Sequence, residues 1–360
     1  MTTDKELICE SVRAENIEQD AFGKGGRGTF TCRRCGKVFP LDVESNYGWS
    51  LCESCYERFY ETCYLCGRHV PKGRLKDGIC NTCLLLRGGM TIAPYHIGSN
   101  CGTIFHATTN KIDARRPIFF GIELEVGKAS TINANRCAYK LFKKYAQKDE
   151  LFWIERDSSI PDFGFEIITQ PLTLDAFRRK REEGVWNAII SELRRYKLKP
   201  AQGCGMHVHC GAITGMMADV LSEAGRYALD YLFASRKTFF SLISHRATHY
   251  AAFRSLNSSN LGKPSGHYNA INFCERNGTI EFRTFNSTLG IDEIEARLEI
   301  CDSLIRFCRQ FKCAEAKPDA IEWVGFIIKN KKRYKSAMYY IADSIKNYRD
   351  KLTNIYSNAD

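Results

Sequence analysis

The stretch GCGMHVHCG, residues 203–211, decides how the rest of the chain is read. Two histidines two apart, flanked by cysteines, invite a zinc site. Its glycines and β-branched valine also permit an extended strand, and along a strand successive side chains alternate between faces. Cys204, Met206, Val208 and Cys210 then share one face, and Gly205, His207 and His209 share the other. The sulfur atoms point away from the imidazoles. The soft face belongs to a core, and the histidine face is open, with glycines that let another group approach the backbone. That group must come from elsewhere in the chain.

Working outward, four more stretches place polar residues on one side of a strand, three of them as pairs. They are Glu123 and Glu125 in PIFFGIELEVG (117–127), Glu155 and Asp157 in LFWIERD (151–157), Glu166 in FGFEIITQP (163–171), and Glu281 and Arg283 in TIEFRTF (279–285). A single pair is the wet face of an amphipathic strand. Five stretches in succession ask for a common partner. The glutamates of FFGIELEVG sit between large apolar residues, where an unpaired carboxylate is costly and usually needs a cation. Several carboxylates with one or two imidazoles suit Mg2+ or Mn2+, hard ions that keep waters and bind phosphates. Arg283 offers a planar fork for a phosphoryl group. HYNAINFCE (267–275) and TIEFRTF, separated by Arg276-Asn277-Gly278, form a hairpin with an Asn-Gly turn. Helices are expected over 133–147, 174–196, 218–244 and from Ile291 to the end. The densest positive run, KNKKRYK (329–335), is expected as a solvated helix face.

The N-terminal part is of another kind. Cys32, Cys35, Cys52, Cys55, Cys63, Cys66, Cys80 and Cys83 form four CxxC pairs, and two pairs complete a closed tetrahedral zinc site. Gaps of 16 and 13 residues within the halves and 7 between them favour consecutive pairing on two Zn2+ ions, with interleaved pairing as the alternative. The 17 cysteines are an odd number, which in a reducing compartment speaks for metal rather than disulfides. The chain divides into a flexible N-terminus (1–28), a double zinc module (29–90), a linker (91–116), a catalytic domain (117–312) and a basic helical extension (313–360). No apolar run reaches the length of a bilayer span and the charged start is no signal peptide, so a cytoplasmic protein is expected. The net charge of +11 is uneven: 13 Lys and Arg meet 12 Asp and Glu up to Asn110, and 39 meet 29 beyond it. That excess suits a polyanionic ligand, without the concentrated stripe that nucleic acid requires.

GIELEV (121–126), DSSIPDFGFEIITQP (157–171), GMHVH (205–209) and GTIEFRTFNSTL (278–289) occur in the order found in the amidoligase family of phages and bacteria, which this chain resembles over roughly Ile118 to Phe307. That family is related to glutamine synthetase and glutamate-cysteine ligase, whose similar ExE, GMHxH and EFR strands line an antiparallel sheet. The resemblance implies an α+β, glutamine synthetase-like fold: a curved, mainly antiparallel sheet with helices on its outer face, preceded here by a small zinc-ribbon-like module. It implies an ATP-dependent ligase that joins a carboxylate to an amine through an acyl phosphate. Glu123, Glu125, Glu166, Glu281 and His207 would hold Mg2+ or Mn2+, with His207 touching metal or nucleotide phosphates. Arg283 would neutralise the transferring phosphoryl group, and Asp157 would ligate metal or capture the amine. Arg254 and Asn272 are candidates for phosphate or substrate contacts, and His209 either takes part or simply packs. The substrates would be a small molecule, peptide or protein, in the cytoplasm of the cell or of a phage's host; an oligomer is compatible. No glycine-rich phosphate loop is present, and the family needs none.

Two rivals come from other classes. A hydrolase built on HVH would need further histidines on neighbouring strands, and those at 245, 249 and 267 fall outside the expected strands or at their ends. A non-catalytic adaptor or nucleic-acid scaffold would show strongly salt-dependent binding without ATP turnover.

Overall fold

The computed structural model describes residues 29–31, 38–40, 52–63, 69–80, 92, 116–146, 151–160, 163–212, 216–246, 251–264, 268–274, 278–313 and 316–357. Two short hairpins come first: β1 (Thr29–Thr31) with β2 (Val38–Pro40), then, after α1 (Glu53–Phe59), β3 (Tyr60–Thr62) with β4 (His69–Pro71). Between Lys76 and Ile79 the chain turns through Asp77 and Gly78, both at positive φ, a type I′ geometry that leads into Cys80. Cys52, Cys63 and Cys80 are buried, and the Cys80 amide donates to Cys63 Sγ at 3.3 Å. The other five CxxC side chains, and the expected N-terminal segment, lie outside the described residues.

The larger part is built on one antiparallel sheet in the order β6-β7-β5-β8-β10-β9. Its strands are β5 (Phe119–Val126), β6 (Phe152–Glu155), β7 (Phe165–Thr169), β8 (Gly205–Gly211), β9 (Ile271–Cys274) and β10 (Thr279–Asn286). The two-residue period sorts each strand. Phe120, Ile122, Leu124, Met206, Val208, Cys210, Ile280 and Phe282 are all buried, on the helix-covered face.

Helices α2 (Thr131–Leu141), α3 (Leu174–Glu182), α4 (Val185–Arg195), α5 (Met217–Val220), α6 (Glu223–Ser235), α7 (Lys237–Ser244), α8 (Ile291–Cys308), α9 (Ala320–Lys329) and α10 (Lys335–Ser357) supply the second layer. Helix α8 is its centre, packing on β8 and against α3, α4, α6, α9 and α10. Arg178 and Arg181 of α3 pair with Glu295, Glu299 and Asp292 of α8. Asp302 of α8 accepts from Arg306, Arg333 and Tyr334. Trp323, Ile327, Tyr334, Ala337 and Ile341 join the same buried cluster, so residues beyond 313 share the core of the sheet domain. Among the described residues no helix is long and apolar enough to cross a membrane.

Two expected helices are subdivided. The 174–196 segment breaks at Gly184, whose φ of +75° is left-handed. The 218–244 segment breaks where Ser222 caps α6 by accepting from the Gly225 amide, and again at Arg236. The 133–147 helix starts earlier, at Thr131, because Ser130 caps it through the Asn133 amide, and continues as a π-helical turn over Phe142–Ala146. In the positive run 329–335, Lys329, Lys331, Lys332 and Lys335 are exposed as expected, but the helical expectation is corrected. Its residues 330–334 form the turn between α9 and α10, and Arg333 and Tyr334 reach inward to Asp302.

A Cβ on Gly164 would lie 2.1 Å from the Val126 carbonyl oxygen and 2.8 Å from Gly127 Cα, both backbone atoms that cannot step aside. Gly325, inside α9, has open space around it. Gly164→Ala should therefore destabilise the fold by about 2 kcal/mol or more, and Gly325→Ala should stabilise it by roughly 0.5–1 kcal/mol. Denaturant midpoints of the two variants, moving in opposite directions, check both.

Candidate active site

The face of the sheet opposite the helices carries the polar set. Register aligns it: Glu123 stands beside His207, Glu125 beside Glu166, Glu166 beside Glu155, and Glu281 beside both His209 and Asn272. Near the middle, β10 takes three steps, from Phe282 to Phe285, while β8 takes two, from Val208 to Met206. The extra residue is a β-bulge that sets Arg283 and Thr284 opposite His207 and re-aims Arg283 into the polar row.

His207 links two charges. Its Nε2 is 2.8 Å from an Arg246 guanidinium nitrogen, and its Nδ1 is 2.9 Å from Glu123 Oε2. Guanidinium can only donate, so Nε2 accepts and the ring proton sits on Nδ1, donating to Glu123. Arg246 also donates to the carbonyls of Arg283 and Gly203, both at 3.1 Å, and is only 4% exposed. It fits because residue 205 is glycine: a Cβ there would lie 2.0 Å from the guanidinium. This is the group that approaches β8 through its glycine. His245, at φ +57°, ends α7 and bridges to Phe285, which turns the next residue, Arg246, back over the sheet.

Further along, Glu281 Oε1 accepts from Arg283 at 2.5 Å and Glu281 Oε2 accepts from Asn272 at 2.8 Å. His209 Nε2 lies 3.1 Å from Glu123 Oε1 without hydrogen-bond geometry, and its Nδ1 is 3.2 Å from Thr279 Oγ1. On the other flank the Gly205 amide donates to Glu125 Oε2, and Trp153 Nε1 donates to Glu155 at 2.8 Å. Three sets of side chains bring one ligand atom each to within 4.8 Å of one another: Glu123–His207–Glu281, Glu125–Asp157–Glu166 and His209–Cys274–Glu281.

Protonation follows from these neighbours. Burial pushes Glu123 and Glu281 up, yet the nearby histidines, and Arg283 beside Glu281, hold Glu281 below and Glu123 well below the ordinary carboxyl value. Burial lowers His209, and the Glu123 and Glu281 charges overcome it, raising the imidazole to about 9. Glu166 moves the other way, to about 10, through burial first and then repulsion from Glu123, Asp157, Glu125 and Glu155. Glu125 is raised too, chiefly by burial. The left half of the site is thus a crowd of carboxylates short of positive charge, a donor set that fits a hard divalent cation.

The sequence-predicted residues Glu123, Glu125, Asp157, Glu166, His207, His209, Asn272, Glu281 and Arg283 are brought onto one face. Arg254 is engaged elsewhere. It pairs with Asp230 at 2.8 Å, donates to the carbonyls of Asn260 and Lys263, and lies over the Phe273 ring. Arg246, Cys274 and Trp153 were not singled out from sequence; the first lies on a segment with no strand pattern, and Cys274 alternates in phase with Asn272, a signal that was present. Of the other histidines, His245 meets Ser344 and Tyr340, while His249 and His267 lie outside the described residues.

The high Glu166 value has a measurable consequence. Its folded value near 10 exceeds the ordinary 4.5, so the stability it contributes is fully present below 4.5 and is lost as pH rises toward 10. Metal-free protein should lose stability between pH 5 and pH 9, and Glu166→Gln should flatten that slope. Mg2+ or Mn2+ binding near pH 7 should release protons, read by calorimetry in buffers of different ionisation enthalpy, and should tighten as pH rises.

No protein-family model and no curated protein matches the chain. The solved structure described as "Apo GmaS without ligand" overlaps it with a TM-score of 0.36 at 13% identity, covering 67% of this chain and 70% of that one. An overlap of that size carries no argument about chemistry.

Proposed function

We propose that the polar sheet face binds ATP with divalent cations and ligates a carboxylate to an amine through an acyl phosphate. One observation carries this reading: the Glu123–His207–Glu281 and Glu125–Asp157–Glu166 sets stand side by side on adjacent strands, with Arg283 and Arg246 on the same face. Carboxylate oxygens with one imidazole form a hard donor set, and the raised Glu166 value marks a deficit of positive charge there. Bound at these positions, Mg2+ or Mn2+ supplies neutralisation of the triphosphate and of the phosphoryl group in flight.

The chain's own residues do the rest. Glu281 holds Arg283 in a fixed direction, so its guanidinium meets the phosphoryl oxygens without reorganisation. Arg246 adds a second buried positive charge and braces His207 against Glu123. The substrate carboxylate oxygen attacks the terminal phosphorus, and the bond to ADP breaks. Asp157, half-buried beyond the end of β6, takes a proton from the substrate ammonium; the neutral amine then attacks the acyl carbon, phosphate leaves, and the nitrogen gives up its second proton to the departing phosphate. No enzyme nucleophile is needed, and burial together with the Glu281 charge keeps the Cys274 thiol protonated. A small molecule, a peptide or a protein side chain fits this scheme as substrate. The four CxxC pairs are proposed as two structural Zn2+ sites; the Cys80 amide donating to Cys63 Sγ supports that reading.

Calorimetric binding of a non-hydrolysable ATP analogue to wild type and Glu123→Gln tests this function. Mg2+-dependent binding is expected, weakened by about tenfold or more in the variant, and Glu281→Ala should abolish ATP turnover. Absence of binding, or equal binding to both proteins, would sink the nucleotide reading.

A further inference from the structure

We infer that His209, Cys274 and Glu281 form a zinc site at the β9 edge of the sheet, separate in chemistry from the hard-cation positions. The three side chains come from adjacent strands, β8, β9 and β10, and each brings a ligand atom within 4.8 Å of the others. Their donors are an imidazole nitrogen, a sulfur and a carboxylate oxygen. That mixture suits Zn2+, which accepts all three types and uses three protein ligands with an open fourth position, whereas Mg2+ has little affinity for sulfur.

Neighbouring side chains hold the donors in place, as outer-shell partners of a metal site do. Thr279 Oγ1 engages His209 Nδ1 at 3.2 Å, which leaves the buried Nε2, 3.1 Å from Glu123 Oε1 and 3.7 Å from Glu281 Oε1, as the ring's ligand position. Asn272 Nδ2 reaches both other ligands, Cys274 Sγ at 3.2 Å and Glu281 Oε2 at 2.8 Å, and Sγ is 3.5 Å from Oε2. Glu281 stands between the donors: Oε1 meets Arg283 and lies 3.7 Å from His209 Nε2 and 3.8 Å from His207, while Oε2 meets Asn272 and Cys274. Glu281 thus belongs to both this set and the Glu123–His207 set. When Zn2+ enters, the Cys274 thiol and the His209 Nε2 position release their protons to solvent; no electron is transferred. Cys274 is half-buried at an edge strand, which gives the ion a way in.

The inference shares Glu281 with the proposed function but does not require nucleotide binding. The test compares zinc content of the full chain, purified and equilibrated in parallel as wild type, Cys274→Ser and His209→Gln, with every CxxC cysteine intact. Each variant should carry about one zinc equivalent less than wild type. An anomalous difference map from zinc-soaked wild-type crystals should show a peak bonded to Cys274 Sγ. Equal zinc content in wild type and Cys274→Ser, or a map with no peak at Sγ, overturns the site. Calorimetry with Mg2+ and the ATP analogue separates the two ideas. Zinc lost on Cys274→Ser with no nucleotide bound to wild type counts against the proposed function alone; nucleotide bound with no zinc difference counts against this site alone.

Discussion

Across β5, β8 and β10, Glu123, His207 and the bulged pair Arg283–Thr284 stand in one row, and everything chemical in the molecule depends on that row staying in register. A slip of one residue on any of these strands would put Leu124, Met206 or Phe282 on the polar face and carry the charges into the core. The buried face prevents it. Phe120, Ile122, Leu124, Val208, Met206 and Phe282 lose their solvent on that side, and each side chain moved to the other face would forfeit on the order of 1.5–3 kcal/mol. The apolar period thus fixes the polar one.

Such a face is expensive when empty of cations. Buried carboxylates repel one another on the Glu125–Glu166 side, and the fold answers with protons, as the value near 10 at Glu166 shows. On the other side it answers with fixed positive charge: Arg283 on Glu281, and Arg246 on His207. The helical layer behind is correspondingly stiff. Helix α8 carries Glu295 and Glu299, engaged by Arg178 of α3, and Asp302, engaged by Arg333 and by Arg306 of α8 itself, and it lies against β8. A site that holds like charges close together is backed by a helical layer cross-linked through buried ion pairs.

The strands and the composition of the polar face were legible because a two-residue alternation survives in every one of them, from GIELEV to TIEFRTF. The pairing partners were not, since alternation says which face a residue takes and nothing about which neighbour it meets. Helix boundaries failed where one residue overrode a continuous pattern: Gly184 by its left-handed φ, Ser222 by its cap. Arg246 was invisible for a different reason. It reaches the site by a turn after α7, on a stretch with no periodicity, and nothing local to 246 announces a partner 39 residues away at His207. Arg254, in a similar loop setting and a candidate for ligand contact by sequence, is held by Asp230 instead. Lone arginines in loops look alike in sequence and differ only in what the fold brings to them.

The gap at Gly205 and the guanidinium that fills it also bear on how this protein can change. A larger residue at 205 collides with Arg246, and a shorter residue at 246 leaves His207 Nε2 and the Arg283 carbonyl without their donor. The two positions are coupled: a side chain at 205 requires the guanidinium to move, and a guanidinium that moves gives up its bonds to His207 and the Arg283 carbonyl. Positions 205 and 246, far apart in the chain, thus act as one unit of packing, in which the space at one is the side chain of the other.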